Sequence, residues 1–272
     1  MTAVAPRRSV LAVRGDERRR RRDRLAGEEP MEIRAAGPGQ APAPVAVTMR
    51  TPGDDFELAA GFLVTEGLVA PDGVTRAAYC DDVPDEQQRF NVVTITSRAR
   101  VDEVAQRRVA TSACGICGKA RLDEVEVACA PLPDGPAVAR STLLGLPGAL
   151  RARQAVFEDT GGLHAAGVFD VEGRLVALRE DVGRHNAVDK VVGAAALAGE
   201  LPLSERILLV SGRAGFEIVQ KAAVAGVPIL AAVSAPSSLA AEAAERLGMT
   251  LVAFLRGDGF NVYSRPERLV LD

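Results

Sequence analysis

An α/β protein is expected from this sequence, with a layered C-terminal domain and a smaller α+β region ahead of it. From Arg206 onward, short apolar runs alternate with helix-length segments: "RILLVS", "GFEIVQKAAVAG", "PILAAV", "SSLAAEAAERLG" and "MTLVAFL". Runs that are apolar at every position suit strands covered on both faces, and helices of this length between them make crossovers joining parallel strands. The apolar fraction of 47% is dominated by Ala, Val and Leu, with no Trp, the balance of small-residue helices packed on sheets. At 272 residues the chain can bury a sizeable core, so no metal or disulfide scaffold is forced on it.

The first element is a charge run. "RGDERRRRRDR", Arg14 to Arg24, is strongly basic although the whole chain carries a net charge of −3. Residues 1–27 are expected as a solvated, disordered tail, although such a run also suits an acidic surface or nucleic acid. "SVLAV" is too short for the apolar core of an export signal, and arginines follow it. No apolar run reaches membrane-spanning length. The four cysteines, without an export signal, point to a reducing compartment, hence the cytoplasm. There, thiols bind metal or react rather than form structural disulfides. Cys80 and Cys129 stand alone and read as small hydrophobes. Few aromatics argue against extensive base stacking, so neither nucleic acid nor membrane is an expected partner.

Ordered structure is expected from "EEPMEIRAA", Glu28 to Ala36, where apolar alternation begins, and "APVAVTMRT" reads as a second strand. In "GDDFELAAGFLVTEG", Gly53 to Gly67, an acidic start, Phe56, Ala59, Ala60 and Leu63 at helical spacing and a terminal glycine predict a helix with one buried face. "FNVVTITS", Phe90 to Ser97, is β-branched and strand-like. Residues 28–140 thus form the α+β region and residues 141–272 the α/β domain, the boundary falling between Asp134 and Gly162. Ser141 can cap a helix running toward Glu158, with Pro147 and Gly148 marking a break inside it. "LHAAGVFD" and "RLVALRED" then read as strands joined through "VEGR", followed by a helix over Asn186 to Leu197.

Three chemistries fit "TSACGICGKA", Thr111 to Ala120. A zinc site needs two more ligands, and Cys80, Cys129, His164 and His185 are not paired at knuckle spacing, so no metal is expected; the deaminase pattern H-x-E with P-C-x-x-C is also missing. A dithiol redox pair would open a helix after a buried strand, whereas Gly115 and Gly118 favour a mobile arm. A carrier thiolate fits as well, with Lys119 near enough in sequence to stabilise a thiolate or persulfide anion. An inert loop is the bland alternative.

Elsewhere, His164 and His185, the chain's two histidines, sit beside glycines and charged residues. Glu180, Asp181, Arg184, His185, Asn186, Asp189 and Lys190 are dense enough to line a polar pocket, or to make an ordinary surface helix. "SGRAG" (Ser211 to Gly215), "SAPSS" (Ser234 to Ser238) and "RGDG" (Arg256 to Gly259) each follow an apolar strand. Such strand ends line the ligand crevice of parallel sheets, and helix N-termini there attract phosphate. Together they point to a large anionic ligand such as a nucleotide.

In this order, "MRTPGDDFELAAGFLVTEGL", "CGICGK", "TGGLHAAGVFD", "REDVGRHNAVDKVVG", "SGRAGFEIVQKAAVAGVPIL", "SAPSSLAAEAAERLGMTLVAFLRG" and "FNVYS" resemble the formate dehydrogenase accessory sulfurtransferases, the FdhD/NarQ family. The resemblance spans nearly the whole chain after the arginine run. It implies a cytidine-deaminase-like three-layer C-terminal domain and a homodimer. It also implies a cytoplasmic sulfurtransferase that takes sulfur from a cysteine desulfurase and delivers it to the molybdenum cofactor, bis(molybdopterin guanine dinucleotide), before insertion into formate dehydrogenase. Carried over, Cys114 looks like the persulfide-bearing nucleophile and Cys117 its helper or resolving thiol. Phe254, Leu255, Arg256, Gly257, Asp258 and Gly259 match the cofactor-binding segment. Ser211, Gly212, Arg213 and Ser234 would hold the guanine nucleotide arms, with His164 and His185 lining the same pocket, and a guanine nucleotide can take the cofactor's place there. Gly215 departs from the serine common in the family. The alternatives are a dithiol oxidoreductase and a cofactor-binding chaperone that carries no sulfur.

Overall fold

The computed structural model describes residues 4–80, 90–101 and 129–271. Its larger half is a six-stranded sheet in the order β13-β12-β11-β10-β8-β9. The central strands β10 (Ile207–Val210), β11 (Ile229–Ala232) and β12 (Thr250–Arg256) run parallel, as the apolar runs predict. β8 (His164–Phe169), β9 (Leu175–Asp181) and β13 (Gly259–Ser264) are antiparallel to their neighbours.

The two-residue period of a strand sends side chains alternately to the two faces. Leu208, Val210, Leu230 and Ala232 pack with α4 (Arg184–Ala198), α5 (Phe216–Val224) and α6 (Ser238–Arg246). Ile207, Leu209, Ile229 and Ala231 pack with Leu143, Leu146 and Leu150 of α2 (Arg140–Arg151). Helices on both faces make three layers. α2 runs through Pro147, because its three buried leucines at helical spacing outweigh the lost backbone bond; the expected break comes later, at residues 152–154, before the short α3 (Ala155–Thr160). The two-residue strands β7 (Val138–Ala139) and β14 (Leu269–Val270) pair with each other beside α2.

A second sheet, ordered β4-β3-β6-β5, is built from β3 (Glu29–Ala36), β4 (Ala43–Arg50), β5 (Val74–Tyr79) and β6 (Val92–Ser97). Met31, Ile33, Val45, Val93 and Ile95 pack against Leu58, Ala59 and Leu63 of α1 (Asp55–Thr65). The sequence predicts one buried face for α1, but the structure buries two. Its other side crosses α4 so closely that a Cβ on Gly61 would overlap the Asp189 carbonyl, and one on Gly193 the Glu57 carbonyl. A glycine inside a helical run often marks such an approach.

The expected disordered tail is also corrected. Residues 7–24 form an antiparallel hairpin, β1 (Arg7–Arg14) and β2 (Glu17–Arg24), in full register from Arg7↔Arg24 to Arg14↔Glu17. Gly15, at φ 57°, and Asp16 supply a two-residue turn, a strong hairpin signal that the arginine count obscures. Among the described residues, no helix is long and apolar enough to cross a membrane.

Candidate functional site

The strand ends expected to form a crevice are joined to one another. Past β10, the Ser211 N–H donates to the Ala165 carbonyl, while the Ser211 hydroxyl accepts from the Ala165 N–H, both at 2.9 Å. Ser211 therefore extends the pairing with β8. The next turn is zipped to the one after β11: Ala214 N–H donates to the Ala235 carbonyl, and Ser237 N–H to the Ala214 carbonyl. The Ser237 hydroxyl then caps α6 by accepting from the Ala240 N–H, as its position predicts. Phe254 N–H donates to the Ser234 carbonyl at 3.1 Å, tying in β12.

Phe254 has a left-handed backbone, φ 54°, and the pairing of β12 with β13 shifts register between Ala253 and Arg256. This bulge inverts the alternation. Ala253 lies on the α5–α6 side, whereas Leu255 is fully buried on the α2 side with Val252. Leu255 thus offers a ligand only its backbone. Arg256 pairs with Gly259 at the exposed end of the β12–β13 hairpin, past the part of β12 paired with β11, and Gly257 and Asp258 form its turn; Arg140 Nη2 donates to the Asp258 carbonyl at 2.9 Å. Gly259 begins β13. The sheet order sets β12 two strands from β10, about 10 Å across the sheet.

His164 opens β8, next to β10. A Cβ on Gly212 would stand 3.3 Å from His164 Nδ1 and 3.8 Å from Arg184 Cδ, so this glycine lets the chain pass close to both. Burial, then the neighbouring Arg184 and His185 charges, hold His164 below the ordinary histidine pKa despite Asp181. Arg184 Nε is buried and has no hydrogen-bond partner among the described residues. His185 Nε2 lies 2.9 Å from Glu217 Oε2 on α5, and Arg213 is exposed. A cleft of about 470 Å³ is lined by His164 and Ser211 together with Arg151, Gln154, Phe157 and Gly162. The sequence does not single out Arg151, Gln154 or Phe157; only the adjacent glycine pair at 161–162 hints at them. The arrangement is an imidazole held below its ordinary pKa, a guanidinium whose Nε has no partner among the described residues, and two helix N-termini at the carboxyl ends of β10 and β11, a donor set for anions.

Three of the charged residues grouped with Arg184 and His185 in the sequence, Asp181, Asp189 and Lys190, turn inward instead. Asp181 accepts from Thr51 N–H, Gly183 N–H and Asn186 Nδ2, and Lys190 Nζ reaches Asp181 and the Thr51 and Glu180 carbonyls. Lys221 Nζ is held by Thr65, Glu66 and Asp189. Burial alone would lower the Lys221 pKa, but the two carboxylates raise it above its usual value. Arg50 is bidentate to Asp55 at 2.9 and 3.0 Å. The Tyr79 hydroxyl also donates to Asp55, and burial with that carboxylate pushes the phenol pKa up to about 12. The Asp181–Lys190 and Asp189–Lys221 groups stitch the N-terminal region to the C-terminal domain through Thr51, Thr65 and Glu66, whereas Arg50, Asp55 and Tyr79 tie the N-terminal region to itself; Thr51 and Lys221 carry no sequence signal for this role beyond their motifs.

Cys114 and Cys117 lie outside the described residues. Of the other two cysteines, Cys129 packs partly against the C-terminal core. Cys80 Sγ accepts from Arg34 Nη1 at 3.6 Å, a polar contact that a plain hydrophobe would not make.

The family model described as the FdhD/NarQ family matches residues 26–270. Curated relatives named "Sulfur carrier protein FdhD" include those of Streptomyces avermitilis, 51% identical over all of this chain and 98% of its own length, and Mycobacterium tuberculosis, 49% identical over 98% of this chain and 99% of its own. Among solved structures, a candidate formate dehydrogenase accessory protein from Desulfotalea psychrophila superposes with a TM-score of 0.75 at 25% identity, covering 98% of this chain and all of that one.

Proposed function

The chain belongs to the FdhD/NarQ family, and from that membership we propose that it is a sulfur carrier serving formate dehydrogenase. The observation that carries this reading is the end-to-end match, at 51% identity, to a relative bearing the sulfur-carrier name. In the finer reading, the Cys114 thiolate attacks the outer sulfur of a cysteine desulfurase persulfide. The donor S–S bond breaks and its electron pair leaves on the donor thiolate, so Cys114 becomes the persulfide. The outer sulfur then passes to molybdenum of bis(molybdopterin guanine dinucleotide), a metal that accepts soft sulfur. Cys114 returns to thiolate, and the metal supplies the two electrons that make sulfide. Cys117 assists or resolves.

The carboxyl end of the parallel strands supports the cargo half of this reading. Arg184 Nε, the exposed Arg213 and Arg256, and the N-termini of α5 and α6 suit the phosphates of guanine nucleotide arms, and the Arg256–Gly259 turn suits a ligand longer than one nucleotide. The reading includes cytoplasmic location, a homodimer and a cytidine-deaminase-like arrangement of residues 141–272, the last supported by the three layers around a mixed sheet.

Mass spectrometry tests it. After incubation with a cysteine desulfurase and cysteine, the peptide holding Cys114 should gain about 32 Da, one sulfur atom, reversible by thiol, and Cys114→Ala should abolish the gain and formate dehydrogenase maturation. Maturation by Cys114→Ala at the wild-type rate removes the carrier role. Equal dependence on Cys117 with no sulfur adduct favours a dithiol oxidoreductase, and cofactor binding with no adduct favours a chaperone.

A further inference from the structure

The arginine-rich N-terminus, which sulfur transfer does not use, is an open ribbon. β1 and β2 pair along eight residues each, and no residue of either is buried. They make a sheet of their own, so both ribbon edges are unpaired among the described residues. A two-stranded ribbon with no buried face is marginal in water, and a third strand stabilises it.

Register sorts its side chains into two unlike faces. One carries Arg18, Arg20, Arg22 and Arg24 of β2, opposite Val13, Leu11, Ser9 and Arg7 of β1. The other mixes signs, with Glu17 and Asp23 among its arginines and Arg21 paired to Asp23 at 3.3 Å. On the first face Arg24 holds Asp159 of α3, whereas Arg18, Arg20 and Arg22 have no carboxylate partner among the described residues. Three exposed guanidiniums therefore repeat about every 7 Å, every second residue of a strand. With nine arginines and three acids, residues 1–27 carry +6, which leaves −9 on the rest of a chain of net charge −3.

We propose that the outer edge of β2 is a docking site for an extended acidic segment of a partner protein, with Asp or Glu at every second position, which adds as a third strand. Such a strand pairs with the open backbone groups of β2. Its side chains alternate with the same period, so one row of carboxylates meets Arg18, Arg20 and Arg22 in register. A nucleic-acid backbone would match the charge only: it leaves the backbone edge unpaired and finds no aromatic side chain among residues 7–24 on which to stack a base. The ribbon's base is fixed by Arg24 to α3, whose Phe157 lines the His164 cleft, so a docked partner is brought beside the candidate site. The proposal does not depend on the sulfur-carrier reading.

The test presents the full chain with four probes at physiological salt: an eight-residue peptide alternating Glu and Thr, a peptide of the same composition with its glutamates contiguous, single-stranded DNA of equal charge, and phosphatidylserine vesicles. The alternating peptide should bind at least about tenfold tighter than the others, the worth of a few registered charge pairs. It should also slow amide hydrogen exchange across residues 17–24. The triple substitution Arg18→Ser, Arg20→Ser, Arg22→Ser should remove that preference, while Arg19→Ser with Arg21→Ser should keep it. Equal binding of every polyanion, or tighter binding of DNA or vesicles, overturns the proposal. So does unchanged exchange at residues 17–24 in the unsubstituted chain with the alternating peptide in excess, which would leave the arginines only as protection against edge-to-edge pairing. That last measurement decides independently of how the variants fold.

Discussion

Lys190 Nζ lies 2.9 Å from Asp181 Oδ2, with both side chains 1% exposed or less. Asp181 also accepts the Thr51 N–H from the segment between β4 and α1 and the Gly183 N–H at the start of α4. One carboxylate thus joins the two halves of the molecule and fixes where α4, with Arg184 and His185 in its first turn, begins.

Asp181→Asn or Lys190→Met should each destabilise the fold by about 3–5 kcal/mol, because each strands a buried charge. The double variant should recover part of the loss. Urea unfolding of the three proteins checks this; single variants as stable as the parent would show that the pair is not structural.

At the α1–α4 crossing, Gly61→Ala and Gly193→Ala should each cost about 2–3 kcal/mol or more, since a methyl group meets the backbone of the opposing helix rather than a side chain that can yield. Alanine ordinarily improves a helix interior, by up to about 1 kcal/mol. A rise in thermal stability would mean the helices can separate without loss.

Phe254 should invert the usual order of small substitutions. A left-handed backbone costs a residue with a Cβ about 1–2 kcal/mol, so Phe254→Gly should be more stable than Phe254→Ala by about 1 kcal/mol. Paired thermal melts decide. Alanine proving the better tolerated would imply that the bulge relaxes when the ring is removed.

His164 should make both stability and anion binding pH-dependent, with opposite signs. Its folded-state pKa is depressed below 6.5, so as pH falls through the unfolded value the unfolded chain takes up the proton first and the native state loses stability. A phosphate group in the cleft favours the protonated ring, so guanosine diphosphate should bind more tightly, with proton uptake, as pH drops from about 8 to 6. Calorimetric titration across that range, with His164→Gln as the flattened control, checks the sign. Identical profiles for the two proteins would place His164 away from the anion.

The alternation of apolar runs and helices after Arg206 made the parallel centre of the sheet legible, and turn chemistry located the crevice ends at Ser211, Ser234 and Arg256. Patterns set by local period and capping depend on few neighbours, which is why a sequence displays them. The Gly15–Asp16 turn was equally local, yet the flanking charge spoke for disorder, since the count of arginines says nothing about strand register.

The order of residues was enough to settle the parallel central strands, the helix after Gly53 and the small-residue composition, because each follows from side-chain size, branching and hydrogen bonding within a few positions. Only the folded chain decided that Asp181, Asp189 and Lys190 turn inward while Arg184 and His185 face the carboxyl end of the parallel strands, and that a bulge at Phe254 moves Leu255 to the opposite face. Those outcomes depend on which partner lies across a helix crossing or a neighbouring strand. Burial makes a charge seek that partner, wherever in the sequence it stands.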